Sequence, residues 1–146
     1  MNVPFVSLKR SQDTIKDEID SAIKRVIESA WYINGIHVEN FEKEFASYCG
    51  KKYGVGVASG TDALTLALIA YGIKNSEVIT VANTFTATAL AIKHSGNKPV
   101  LVDADETCNI DASKIENNIT SRTKAIIPVH LYGQPADMRK INYVAE

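Results

Sequence analysis

The sequence predicts an α/β fold with a mostly parallel sheet and helices on both of its faces. Three observations predict it. Short apolar runs alternate with segments of helical length, each run is apolar throughout, and polar or glycine-containing turns separate them. Strands that are buried on both faces have this character because helices cover the two sides of a parallel sheet. The chain has 146 residues, the length of one ordinary domain.

Residues 1–50 predict an N-terminal helical segment. An apolar stripe at helical period extends over residues 12–30 and comprises Ile15, Ile19, Ile23, Val26 and Ile27. A second amphipathic helix is expected from about Val38 to Gly50, with inward-facing Phe41, Phe45 and Tyr48.

Residues 51–146 predict the first part of a larger, incomplete domain. Its four expected strands are the run around Val55 and Val57, then Glu77–Val81, Val100–Val102 and Ala125–Val129. Helices are expected over residues 63–71 and 87–95, over a shorter stretch that Asp111 caps and that ends at Ile119, and from Pro135 onward. Because the last helix has only begun at Glu146, we expect the chain to stop inside a fold.

Charge and composition argue against several classes of protein. The net charge of -1 favours neither nucleic acid nor an anionic membrane surface as a partner. The sequence has no apolar span of membrane length and no signal-peptide pattern, so we expect a cytoplasmic protein. Cys49 and Cys108 lack metal or redox spacing and are expected to be reduced and structural.

The segment Ser59-Gly60-Thr61-Asp62 is a candidate phosphate site. In open α/β sheets, ligands bind beyond the carboxyl ends of the strands. A helix that begins here leaves unpaired backbone N–H groups with partial positive charge, Gly60 allows close approach of the backbone, and Thr61 adds a hydroxyl donor. A simple helix cap accounts for the same residues equally well, and both interpretations stay open at this point.

A dinucleotide-binding turn is disfavoured. Gly54, Gly56 and Gly60 form a GxGxxxG string, but the first two fall inside the predicted strand instead of following it. Ala82 and Asn83 stand where an acidic residue for the ribose is expected.

Other candidates lie at the ends of the later strands. Phe85 could stack on a heteroaromatic ring or be a core aromatic, and His130 could be a base, a hydrogen-bond donor or a structural histidine. Asp103 and Asp105 are expected to cap the next turn, so no metal site is predicted.

Several segments together resemble the DegT/DnrJ/EryC1/StrS sugar aminotransferases, with this chain as their N-terminal part. The segments are Val3–Val6, Gly35 before Val38–Glu42, Ala58–Leu64, Glu77–Thr80, Asn83–Phe85, Lys98–Asp103 and Thr123–Met138. They occur in the family's order and cover nearly the whole chain. Each motif is weak alone, and the combination is specific.

The resemblance implies the aspartate aminotransferase type of fold (fold type I), pyridoxal phosphate as cofactor, and a homodimer with sites near the subunit interface. The implied reaction transfers an amino group, from glutamate, to a nucleotide-linked keto-deoxysugar. The implied cofactor-binding residues are Gly60, Thr61, Asp62, Phe85 and Gln134. The implied residues on the sugar side are Tyr32, Asn34, Gly35 and His130.

The resemblance also implies that catalytic groups are absent from this chain. The family's Schiff-base lysine and pyridine-binding aspartate fall after Glu146, so no catalytic residue is assigned. We expect the chain alone to be inactive, to bind the cofactor weakly at most, and to self-associate through exposed strand edges. The alternatives are an inactive self-associating fragment and a regulatory member of the family that binds a sugar nucleotide.

Overall fold

A computed structural model describes residues 3–146, which divide into two compact units on either side of the junction between Gly56 and Val57. The first unit is helical and contains α1 (Leu8–Asp13), α2 (Lys16–Ser29) and α3 (Ile36–Tyr48). Among the described residues, no helix combines the length and the apolarity that crossing a bilayer requires.

The amphipathic helices of the first unit form as predicted, but most residues of their apolar stripes stay exposed. Phe41 and Phe45 on α3 stack with ring centroids 5.5 Å apart, and Phe45 stacks in turn on Tyr48. All three rings are exposed, so the prediction that they point inward is wrong for this chain. A stripe at helical period identifies a helix and its apolar face, but not what covers that face.

The second unit contains a parallel sheet of three strands, β1 (Glu77–Val81), β2 (Lys98–Val102) and β3 (Thr123–Ile127). The strand order is β2-β1-β3, with Ile79 of β1 opposite Val100 on one side and Ile126 on the other. Every residue of β1 is buried because it has a neighbouring strand on each edge and a covered surface on each face.

Helices cover both faces of the sheet, as predicted. On one face, α4 (Gly60–Ala70) and α5 (Ala87–His94) enclose a cluster of Leu68, Val78 and Ile92. On the other, α6 (Met138–Ala145) and short 3₁₀ turns enclose a larger cluster, Ile79, Val81, Val102, Ile110, Ala112, Ile115, Ala136 and Ile141. Val78 therefore packs into one cluster and Ile79 and Val81 into the other, because successive side chains of a strand point to opposite faces of the sheet.

The predicted strand around Val55 and Val57 does not form. A strand needs a neighbour to complete its hydrogen bonds, and among the described residues the three strands pair only with one another. Val55 is 80% exposed. The chain here instead follows α3: a Cβ at Gly54 would lie 2.6 Å from the Glu42 carbonyl oxygen, and Gly56 N donates to Glu42 Oε1 at 2.6 Å.

The predicted helix from Asp111 to Ile119 is replaced by two 3₁₀ turns, Ala112–Lys114 and Glu116–Asn118. Asp111 does cap the first turn by accepting from Ser113 N at 3.0 Å. The Asn118 side chain donates to the Lys114 carbonyl, the group that an α-helix would offer to the Asn118 amide, and that amide donates to Ile115 instead. Competition from the asparagine side chain therefore favours the tighter turn.

Candidate functional site: the carboxyl edge of the sheet

Helices α4 and α5 run in the same direction across one face of the sheet. Asn97, just after α5, donates to the Ile73 carbonyl after α4 at 2.8 Å and accepts from Ser76 N, just before β1, at 3.0 Å. Both helices therefore end at the amino edge of the sheet. α4 has 11 residues and β1 has 5, and each spans about 16 Å, so the first residues of α4 reach the carboxyl edge.

The start of α4 combines a side-chain cap with uncapped amides. Ser59 is the cap residue, and its Oγ accepts from Asp62 N at 3.1 Å. The intrahelical bonds begin with Ala63 N donating to Ser59 O, so the Gly60 and Thr61 amides have no acceptor within the helix. The helix-cap and phosphate-site interpretations are thus compatible, because Ser59 serves the cap and the next two amides stay available.

The space beside Gly60 is open. A Cβ built there would meet no atom within 4 Å among the described residues, and the φ of Gly60 is not in the left-handed region. The backbone conformation therefore does not require glycine at this position. Free amides, a helix N-terminus and open space fit the phosphate of a cofactor.

Asp62 has both of its polar groups engaged in the cap. Its amide donates to Ser59 Oγ, and its carboxylate accepts from the same hydroxyl at 3.0 Å. A carboxylate offers acceptors only, so its place in this turn suits the helix dipole and the cap more than direct contact with an anion. Thr61 Oγ1 makes no hydrogen bond among the described residues, whereas the Thr61 carbonyl accepts from Thr65 Oγ1 at 2.9 Å.

Phe85 lies on the loop that joins β1 to α5, at the same edge of the sheet. Its ring is 80% exposed, so it is not a core aromatic. The loop is held on both sides of the ring: Asn83 Nδ2 donates to the Cys108 carbonyl at 3.3 Å, and the hydroxyls of Thr84 and Thr88 lie 3.0 Å apart. A flat apolar face is therefore presented to solvent on an anchored loop.

The loop after β3 carries His130 and Gln134. His130 Nδ1 accepts from Ala136 N at 3.0 Å, which requires the neutral ring to carry its proton on Nε2. Gln134 is exposed, and its Nε2 makes a long contact of 3.4 Å to the Pro135 carbonyl. The strand order β2-β1-β3 makes the crevice between β1 and β3 a topological switch point, where open sheets bind ligands.

Of the residues predicted to contact the sugar, His130 lies in the second unit, and the others, Tyr32, Asn34 and Gly35, lie in the first unit. Trp31 Nε1 donates to the Ile33 carbonyl at 2.7 Å, which closes a tight loop around Tyr32, and Asn34 follows that loop with φ 48°. Gly35 is buried beneath the Trp31 ring, where a Cβ would lie 3.1 Å from Trp31 Cγ. Tyr32 is exposed at the surface of this loop.

The structure identifies Asn109 as a residue that sequence reasoning missed. Its side chain is 1% exposed and bonds to both ends of the loop after β3: it accepts from Leu131 N at 2.9 Å and donates to the Gln134 carbonyl at 3.0 Å. The signal in the sequence was a polar amide between Cys108 and Ile110, just before the capping Asp111. Nearby, Asp105 accepts from Thr107 N and Oγ1, which confirms its predicted capping role.

The profile of the DegT/DnrJ/EryC1/StrS aminotransferase family matches residues 13–146. The chain belongs to this family. It is 53% identical, over 99% of its length, to the dTDP-3-amino-3,6-dideoxy-alpha-D-galactopyranose transaminase of Aneurinibacillus thermoaerophilus, of which it covers 40%. It is 44% identical, over 99% of its length, to the dTDP-3-amino-3,4,6-trideoxy-alpha-D-glucose transaminase of Streptomyces venezuelae, of which it covers 38%. A pleiotropic regulatory protein of Geobacillus stearothermophilus is 45% identical over the whole chain, which covers 40% of it.

Two solved structures share the fold of this chain. The crystal structure of S. venezuelae DesV matches 98% of the chain with a TM-score of 0.93 and 45% identity, and the chain covers 39% of it. The structure of NtdA from Bacillus subtilis with bound cofactor PMP matches 99% of the chain with a TM-score of 0.90 and 39% identity, and 34% of NtdA is covered. The predicted fold class, a large-domain portion of a pyridoxal-phosphate-dependent transferase, is confirmed. The chain spans about 40% of the length of the two transaminases from A. thermoaerophilus and S. venezuelae.

Proposed function

We propose that this chain is the phosphate-binding N-terminal part of a pyridoxal-phosphate-dependent aminotransferase. The whole protein would transfer an amino group from glutamate to a nucleotide-linked keto-deoxysugar. The observation that carries the proposal is the start of α4, where the Gly60 and Thr61 amides have no acceptor within the helix and the space beside Gly60 is open. Membership in the family and the sugar-nucleotide transaminases among the relatives support the substrate class.

The start of α4 would hold the cofactor's phosphate. The amides of Gly60 and Thr61 supply two donors, and the positive end of the helix favours a dianion. The free Thr61 hydroxyl supplies a third donor. Pyridoxal phosphate, when bound, supplies the electron sink that makes amino transfer possible. The chain's task at this position is to bind and orient.

The loops after β1 and β3 would shape the space for the ring. Phe85 offers an exposed aromatic face on an anchored loop, and Gln134 offers an amide that can donate or accept. His130 would present its Nε2 proton as a donor, because Ala136 N fixes Nδ1 as the acceptor. Tyr32, Asn34 and Gly35 are proposed for the sugar side, together with His130.

Several properties of the whole protein belong to the same proposal. It would be a cytoplasmic homodimer with sites near the subunit interface, as the family resemblance implies. The Schiff-base lysine and the aspartate for the pyridine nitrogen would come from sequence beyond residues 1–146. The isolated chain, incubated with pyridoxal phosphate, glutamate and a keto-sugar nucleotide, should therefore give no more product than free cofactor gives.

A regulatory role is the second candidate. It is favoured by the 45% identity to a protein that is named a pleiotropic regulatory protein. Such a member would bind a sugar nucleotide without transferring nitrogen. The two candidates differ in whether nitrogen from glutamate reaches the sugar.

A chimaeric enzyme tests the proposal. Residues 1–146 would replace the matching segment of the S. venezuelae transaminase, and the chimaera would receive ¹⁵N-glutamate and the keto form of that enzyme's sugar nucleotide. We expect ¹⁵N in the product by mass spectrometry, and a large loss of it with Thr61→Ala. A folded chimaera that binds pyridoxamine phosphate but incorporates no ¹⁵N would contradict the proposal and favour the regulatory role.

A further inference from the structure

We propose that Asn109 is a positioning residue that fixes the loop carrying Gln134 at the carboxyl edge of the sheet. The inference deepens the proposed function and rests on it, since it assigns to Asn109 the placement of a proposed cofactor contact. Asn109 lies in the turn after β2, and this turn forms hydrogen bonds with the loops that follow β1 and β3.

Both polar atoms of the Asn109 side chain form hydrogen bonds. Its Oδ1 accepts from Leu131 N at 2.9 Å, and its Nδ2 donates to the Gln134 carbonyl at 3.0 Å and to Thr107 Oγ1 at 3.3 Å. The two longer-range bonds connect residues 22 and 25 positions apart. Because the side chain is 1% exposed, water cannot readily replace these partners.

The loop that Asn109 holds has an unfavourable backbone conformation of its own. Tyr132 has φ 56° and ψ 24°, the left-handed region that a residue with a Cβ seldom adopts. The bonds to Leu131 and Gln134 lie on either side of Tyr132. Such a conformation persists when surrounding contacts over-determine it, and Asn109 supplies two of those contacts.

The same turn also holds the loop after β1. The Cys108 carbonyl accepts from Asn83 Nδ2 at 3.3 Å, and Cys108 itself has φ 65°. The Cys108 carbonyl therefore holds the loop that carries Phe85, and the side chain of the next residue, Asn109, holds the loop that carries Gln134. The turn sets the placement of one loop relative to the other, and Asn109 controls the half that carries Gln134.

The test compares two probes on the 146-residue chain, inorganic phosphate and pyridoxamine phosphate, by ¹⁵N–¹H NMR. The second probe has an amine in place of the aldehyde, so it does not react with lysines. The ratio of the two dissociation constants isolates the contribution of the ring. In Asn109→Asp the introduced carboxylate cannot donate to the Gln134 carbonyl. We expect the preference for pyridoxamine phosphate to fall about fivefold, the size of one hydrogen bond, with phosphate binding unchanged.

Asn97→Asp is the matched control. Asn97 is also buried and donates to the Ile73 carbonyl, but it lies at the amino edge of the sheet. The same substitution there should lower stability and leave the preference between the probes unchanged. An equal loss of preference in both variants would show a merely structural effect and would overturn the positioning role.

The outcomes separate the two proposals. If neither probe shifts Gly60 and Thr61 in the unsubstituted chain, the proposed function fails and this inference fails with it. Saturable binding of both probes, with the same preference in Asn109→Asp as in the unsubstituted chain, overturns the positioning role alone. Should Asn109→Asp not fold, hydrogen exchange of the unsubstituted side chain decides: Asn109 Nδ2 must exchange far more slowly than that of exposed Asn117, and equal rates would overturn the role.

Discussion

Glu77 Oε2 accepts a 2.7 Å hydrogen bond from Thr120 Oγ1, which joins the first residue of β1 to the turn before β3. The other carboxylate oxygen lies 3.3 Å from Lys98 Nζ, on the first residue of β2. One buried carboxylate therefore links β1 to β2 and to the turn that precedes β3, at the amino edge of the sheet, opposite the proposed cofactor site.

This arrangement predicts loss of stability in acid. The hydrogen bond from Thr120 lowers the pKa of Glu77 below 4.5, burial opposes this, and Lys98 reinforces it. A carboxyl whose pKa is lower in the folded state contributes stability above its unfolded pKa and loses that contribution as the pH falls through the folded value. The urea midpoint should therefore fall as the pH drops below about 4.5, and less steeply in Glu77→Gln.

Glu116→Gln is the control for this measurement, because Glu116 is an exposed carboxyl in a 3₁₀ turn. Its acid profile should match that of the unsubstituted chain. A Glu77→Gln profile as steep as that of the unsubstituted chain would show that other acids carry the effect, among them Asp111 and Asp137. A hydrogen bond from the Ser113 side chain is the largest cause of the lowered pKa of Asp111, and a hydrogen bond from the Lys140 amide is the largest cause for the pKa of Asp137.

The Ser59 cap predicts a measurable cost for its removal. Ser59 Oγ accepts from Asp62 N and donates to the Asp62 carboxylate, so Ser59→Ala leaves both groups without this partner. We expect the free energy of unfolding to fall by about 1 kcal/mol, measured in urea. Ser59→Thr keeps the hydroxyl and should retain most of the stability. Equal losses in the two variants would argue against the cap.

The sheet core predicts a contrast between two identical substitutions. Ile79 is fully buried at the centre of β1, whereas Ile69 on α4 is exposed. Ile79→Val removes one buried methylene and should lower the free energy of unfolding by about 1 kcal/mol. Ile69→Val should change it by less than about 0.5 kcal/mol. A similar loss in both would mean that Ile69 is covered in solution.

The exposed surfaces predict self-association of the 146-residue chain. Large apolar side chains such as Phe45, Tyr48 and Ile69 are exposed, and β3 is an edge strand. Unpaired edges and apolar patches favour pairing with other chains, so light scattering should show mass that rises with concentration. Lys124→Val removes a charge from the β3 edge and should strengthen the effect. A monomer at high concentration for both chains would refute this prediction.

Much of the fold could be predicted from local pattern, because helices and buried strands have distinct periods. The three strands that form and the helices α2 to α5 all occur where apolar runs or stripes are present. The run around Val55 and Val57 has the same local character, but a strand also requires a partner, and its pattern does not supply one. The prediction of a helix over residues 111–119 was wrong because the Asn118 side chain, and not the Asn118 backbone amide, donates to the Lys114 carbonyl.

Some residues of the candidate site could likewise be predicted from local sequence, and others could not. Ser59, Gly60 and Thr61 were predictable because a helix start is a local feature with known chemistry. Asn109 was not, because its importance comes from partners 22 and 25 residues away, and a polar amide between Cys108 and Ile110 does not reveal which residues it bonds to.

The central claim, that the Gly60 and Thr61 amides bind the cofactor's phosphate, is tested most directly by titrating inorganic phosphate at constant ionic strength and following ¹⁵N–¹H NMR signals. We expect saturable shifts at Gly60 and Thr61, and none at the start of α6, where Asp137 caps Lys140 N. Gly60→Val should fold, since a Cβ there meets open space, and should abolish those shifts. Shifts that do not saturate, or that persist unchanged in Gly60→Val, would contradict the account.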